Sequence, residues 1–124
     1  MTSCSCDADD GPTVYRTSTP TARRAHRCDE CKGVIQPGER YTTAFGIWED
    51  GGATFKTCGD CTGLMQWAKA HVPCICWAHG LIHQSVIDAA AEWDSECPGL
   101  LAEARAKIRA IREKRRQARA EIEA

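Results

Sequence analysis

Nine cysteines in 124 residues are the part of this chain best able to do chemistry. Four of them form two Cys-x-x-Cys pairs, Cys28/Cys31 and Cys58/Cys61, with 26 residues between the pairs. Zinc takes about four soft or borderline ligands at tetrahedral corners, and a two-residue gap lets one tight turn fill two adjacent corners. The two pairs therefore make one complete ligand set. Two main ligand sets compete for a second Zn2+. One joins Cys4 and Cys6 to Cys74 and Cys76 and staples the N-terminal arm to the body. The other is local, Cys74 and Cys76 with His79 and His83, two imidazoles four residues apart on one face of an expected helix. A mixed set would put His79 in place of one thiolate. The four-cysteine set is favoured because it explains two thiols in an arm otherwise rich in turn-forming residues. Cys97, beside Pro98-Gly99, is expected to be a spectator.

The elements that must position these ligands can be read from periodicity. Cys28-Asp-Glu-Cys31 is expected in a turn, with Gly33 free to take a backbone conformation that residues with a Cβ resist. Pro37-Gly38 supplies a second turn. From Arg40 to Glu49 the chain alternates, with Tyr41, Thr43, Phe45 and Ile47 on one face and Thr42, Ala44, Gly46 and Trp48 on the other. Asp50-Gly51-Gly52 predicts a hairpin turn and 53–57 the return strand. The second cysteine pair then opens a helix over 59–71, where free N–H groups favour thiolates and Pro73 marks the stop. A second helix is predicted over 77–93, with Ile82, Val86, Ala89 and Trp93 on its buried side. Residues 1–25 read as irregular. The predicted class is a small α+β, metal-stabilised domain: knuckle, β-hairpin and helix, then a second helix and a long C-terminal one.

That last helix, 100–124, carries Leu101, Ala104, Ile108, Ile111, Arg115, Ala118 and Ile122 at three-four spacing, a short coiled-coil-like seam. It predicts docking on the body or on a second copy of the chain. Charge divides at the same place. Residues 1–99 hold eight Lys/Arg against 13 Asp/Glu, whereas 100–124 hold eight against four. The chain thus reads as a zinc-binding body over 1–97, arm included, and a basic amphipathic helix over 98–124. The acidic balance argues against the body as a general nucleic-acid surface.

With 6% aromatic residues the core should be modest, so metal rather than packing is expected to supply the margin of stability. No apolar run approaches a membrane span, and the N-terminus lacks the pattern of a signal peptide. A cytoplasmic setting is expected, which keeps thiols reduced and favours metal over disulfides.

Catalysis finds little support. Closed four-thiolate sites leave no position for water or substrate. Pro73-Cys74 is followed by Cys-x-Cys spacing, and no His-x-Glu precedes it, unlike the nucleotide deaminases. The hairpin holds no histidine, unlike treble-clef nucleases. Two matched cysteine pairs also fit a thioredoxin-like redox role poorly.

The turn, hairpin and helix with ligand pairs at both ends, Arg27 to His71, resemble a treble-clef zinc finger. Over residues 1 to about 95, Cys4-x-Cys6, Ala25-His-Arg-Cys-Asp-Glu-Cys31, Pro37-Gly-Glu-Arg-Tyr41 and Thr54-Phe-Lys-Thr-Cys-Gly-Asp-Cys61 resemble a family of small zinc-finger-like proteins of bacteriophages and prophages. The resemblance implies a phage setting, hence the host cytoplasm, and no established activity. The expected function is a non-enzymatic, zinc-stabilised adaptor binding another protein, such as a host factor, with Trp48 and Trp77 as candidate contacts. The alternative is nucleic-acid binding through Arg109, Arg112, Lys114, Arg115, Arg116 and Arg119, with the arginines near residue 24 assisting. A homodimer through the C-terminal helix is a third expectation.

Overall fold

On the central strand of the sheet, small residues occupy the buried face. The structure is a computed structural model describing residues 14–48, 51–76 and 79–123, without the side chains of Trp48 and 119–123. Strand β4 (Thr42–Trp48) pairs antiparallel with β5 (Gly51–Thr57), Thr42 opposite Thr57 and Trp48 opposite Gly51. Ala44 and Gly46 are buried, whereas Phe45 and Ile47 stand on the exposed face. The expected alternation is present, with the smaller set turned inward.

Two expectations are corrected here. The segment read as irregular contains strand β1 (Val14–Ser18), which pairs with the other edge of β4, Val14 opposite Ile47, to give the order β1-β4-β5. Its Val14, Tyr15 and Thr17 have β propensity that the neighbouring turn signals masked. Gly51 and Gly52 lie in β5 rather than in the turn, with Gly51 at φ 118°, a conformation that favours glycine.

The knuckle is a second, minimal sheet of β2 (His26–Arg27) and β3 (Val34–Ile35). Cys28 N donates to Gly33 O at 2.8 Å and Lys32 N to Cys28 O at 3.0 Å. The left-handed residue of this turn is Lys32, φ 62°, and not Gly33. Gly33 instead leaves room for the side chain of Arg115.

Helix α1 (Gly59–His71) matches its predicted span. Helix α2 (Ile82–Trp93) starts five residues later than predicted, because Gly80 takes φ 92° and breaks the approach. Helix α3 (Leu100–Glu123) follows, with Gly99 at φ 89° before it. Of its predicted seam, Ala104, Ile108 and Ile111 are buried in one core with Leu64, Ala68, Ile82, Val86 and the cysteines Cys28, Cys58 and Cys61, while Leu100 is buried where Leu101 was expected and Leu101 is half-buried. Packing against α1 and α2 accounts for the seam within a single chain. Among the described residues, no helix is long and apolar enough to cross a membrane.

Candidate metal centre

The end of β5 and the start of α1 bring the second cysteine pair to the first. Cys58 is the N-cap of α1, in extended conformation, and Cys61 sits in the first turn, with Thr62 N donating to Cys58 O at 2.9 Å. Asp29, inside the knuckle, locks this junction from both sides. Its N–H donates to Lys56 O at 2.8 Å, and its Oδ2 accepts from Lys56 N at 2.6 Å.

The four sulfurs of Cys28, Cys31, Cys58 and Cys61 all lie within 4.8 Å of one another. Cys28, Cys58 and Cys61 are buried, Cys31 is half-buried, and none is in a disulfide. Cys31 Sγ and Cys58 Sγ are 3.7 Å apart. A tetrahedron with metal–sulfur bonds of about 2.3 Å has edges of roughly 3.8 Å, whereas a disulfide needs about 2.05 Å. The spacing is that of ligands around one metal ion. Backbone N–H groups supply the polar support thiolates need: Glu30 N and Cys58 N point at Cys28 Sγ (3.4 and 3.3 Å), and Gly33 N at Cys31 Sγ (3.4 Å).

Crowding four thiols splits their proton affinities. The Cys28 thiol pulls Cys31 down to about 6, and Cys28, Cys31 and Cys61 together hold Cys58 far below its ordinary value. Cys28 is pushed up, chiefly by Cys31, and Cys61 is pushed up, chiefly by Cys28. The metal-free set thus keeps some sulfurs as thiolates and others as thiols. A divalent cation would favour thiolate at all four.

Two side chains close over the sulfurs. His83 Nε2 lies 3.2 Å from Cys61 Sγ, and burial, with Arg112 adding to it, holds this imidazole below its ordinary value. A neutral ring with its proton on Nε2 donates to that sulfur. Arg115 of α3 lies beside Cys58 and Cys31. Burial works against its charge, and those two sulfurs more than offset that, so the guanidinium is held above its ordinary value. Arg115 Nη2 also reaches Asp60 Oδ2 at 3.3 Å, where Lys114 Nζ joins at 3.1 Å.

The histidine pair does not converge. His79 precedes α2 and shares no helical face with His83. Its Nε2 is 2.7 Å from the Tyr15 hydroxyl, and its ring stacks with Tyr15 and Phe55 at 5.8 and 5.1 Å. Cys74 and Cys76 are disulfide-bonded, in contrast to their expected role as thiolate ligands, and Cys4 and Cys6 lie outside the described residues. Among the described residues one four-thiol set therefore stands free for a metal, with Cys97 a half-buried free thiol elsewhere.

Of the predicted partner contacts, Arg115 is turned inward and Arg116 pairs with Glu113, so neither is free as expected. A basic residue on the seam of a helix was itself the signal that Arg115 faces the core. Arg109 and Arg112 are exposed, while the side chains of Trp48 and Arg119 and all of Trp77 fall outside the described residues. Sequence reasoning missed Glu30, whose carboxylate accepts from Gly80 N (2.6 Å) and Ile82 N (2.9 Å) and so anchors the start of α2. No family model, no curated protein and no solved structure matches the chain.

Proposed function

We propose that the chain is a non-enzymatic adaptor, held together by zinc in a treble-clef-like finger, that binds an acidic surface of another protein. What carries the reading is the separation of two surfaces. The sulfurs could fill every corner of a tetrahedral ion and are covered by His83 and Arg115, so a metal there has no open position for a substrate. The outer face of the sheet, by contrast, presents Phe45 and Ile47, 37% and 38% exposed. Arg16 stands directly across from Phe45, and Lys56 across from Thr43 on the same face. Arg27, Lys32 and the exposed Val34 line an adjoining shallow pocket, with His26, 3.1 Å from Lys56 Nζ, between. None of these four cations forms an ion pair with a carboxylate among the described residues. Apolar side chains ringed by uncompensated positive charge fit an acidic protein partner.

Of the tail residues named for nucleic-acid binding, only Arg109 and Arg112 are exposed and outside any ion pair among the described residues, and the stripe proposed for dimerisation is already packed. A phage setting and a second zinc ion at Cys4, Cys6, Cys74 and Cys76 remain parts of the proposal, the latter requiring those cysteines to be reduced. The test compares wild type with a Phe45→Ala/Arg16→Glu variant in capture from host extract treated with nuclease, with sequencing of the captured protein. A single acidic protein retained by wild type and lost with the variant supports the reading. Salt-sensitive shifts of oligonucleotides by wild type, abolished by Arg109→Gln/Arg112→Gln, would replace it with the nucleic-acid one.

A further inference from the structure

Arg115 departs from its neighbours on α3. Its side chain is 16% exposed, against 65% for Lys114 and 75% for Arg116. Burying the most basic side chain available is costly unless something in the interior demands a cation. Its path inward crosses Gly33. A Cβ at Gly33 would come within 2.5 Å of Arg115 Nε and closer still to Cδ, so no larger residue fits there while Arg115 is in place. Gly33 is not among the glycines with positive φ, so a left-handed backbone does not account for its lack of a side chain, whereas this passage does. Asp60, between Cys58 and Cys61 in the first turn of α1, fixes one end of the guanidinium. The Nε at the other end is buried with no hydrogen-bond acceptor.

We propose that Arg115 is a positioning residue of the metal centre, the counter-cation of a metal–tetrathiolate, so that helix α3 is part of the site and its outer turns dock only when the metal is bound. Four thiolates and one divalent ion leave two net negative charges, and Arg115 is the cation placed against them. Among the described side chains, Ile111 is the last large apolar residue of α3 buried in the core, so the turn that follows depends on Arg115 for its attachment. Without the ion, the four sulfurs are no longer held at fixed corners, so the walls of the Arg115 passage at Gly33 and Asp60 lose their tie through Cys31, Cys58 and Cys61. Coupling of this kind is reciprocal: whatever metal gives to the docking of α3, Arg115 gives back to metal affinity. The inference rests on the zinc reading above.

The test uses the full chain. Zinc affinity is measured by chelator competition for wild type, Arg115→Met, Arg115→Lys, Gly33→Ala and the control Arg105→Met, an exposed arginine of the same helix. Cobalt(II) spectra report whether the ligand set stays tetrahedral, and hydrogen exchange of residues 112–118 is followed with and without metal. Arg115→Met and Gly33→Ala should each weaken zinc about 10–100-fold with the cobalt spectrum retained, since removing an outer partner of a metal ligand has effects of that size. Arg115→Lys should fall between them and wild type, and Arg105→Met should match wild type. Exchange over 112–118 should quicken on metal removal at chelator levels where residues 82–93 are still protected. Unchanged affinity in Arg115→Met, or loss of protection at 112–118 and 82–93 in one step, would overturn the proposal. A wild-type chain that gives no tetrahedral cobalt spectrum would sink the zinc reading as well, which keeps the two failures apart.

Discussion

Asp29 and Glu30 fill the gap in the first Cys-x-x-Cys pair, and each is committed to a different part of the chain. Asp29 holds the end of β5, while Glu30 holds the start of α2, the helix that delivers His83 to Cys61. Glu30→Ala leaves two N–H groups at that start without their acceptor. It should cost about 1.5–3 kcal/mol, the usual range for bonds to a charged group, read from the urea midpoint at unchanged metal content. The four-cysteine set was legible because the chemistry of a metal site fixes the spacing of its candidate ligands. The duties of Asp29 and Glu30 were not, because their partners lie 27 to 52 residues away and sequence shows only neighbours. Gly33 was noticed for the wrong reason. Its value is the empty space it leaves for Arg115, and no local pattern encodes that.

At the level of elements, periodicity found α1 to the residue and the outline of the β4–β5 hairpin. It failed at the start of α2, where Trp77, Ala78 and His79 suit a helix but Gly80 and the Glu30 carboxylate fix the boundary at Ile82. β1 was missed because its β-favouring Val14, Tyr15 and Thr17 lie among turn signals, and pairing with β4 fixes it as a strand. For α3 the stripe was visible and its target was not. Ile108, fully within the shared core, tests that target: Ile108→Ala should destabilise the chain by about 2–5 kcal/mol. If the seam instead joined two copies, the same substitution would dissociate a dimer, so light scattering of wild type and variant is the companion measurement. A monomer in both is the expected result.

For the molecule as a whole, the core is built largely from alanine, small aliphatic side chains and the cysteines themselves. A structural zinc site is worth about 10–16 kcal/mol in small peptides, against about 5–15 kcal/mol for the net stability of a typical domain. Removing the ion should therefore melt the body, after the outer turn of α3 has come loose. An excess of chelator should lower the circular-dichroism signal in step with zinc appearing in solution. Acid should do the same. In the metal-free chain Cys31 has its folded value, about 6, below its ordinary 9.0, so the stability it contributes there is complete above the unfolded value and lost as pH falls through about 6, and a bound cation would hold the thiolate to lower pH. Zinc release and unfolding should coincide below that point, monitored by a zinc dye and by circular dichroism in one titration.

The two acids of the knuckle also bear on the order of assembly. A loop that grips β5 and α2 from 27 and about 50 positions away can finish only after both have come near, and bringing distant segments together is the slow part of chain collapse. An ion meeting the nascent chain would find Cys28 and Cys31 long before Cys58 and Cys61. Early capture of that half-set should hold the ion loosely, and refolding with zinc present from the outset should differ in rate from refolding with zinc added last.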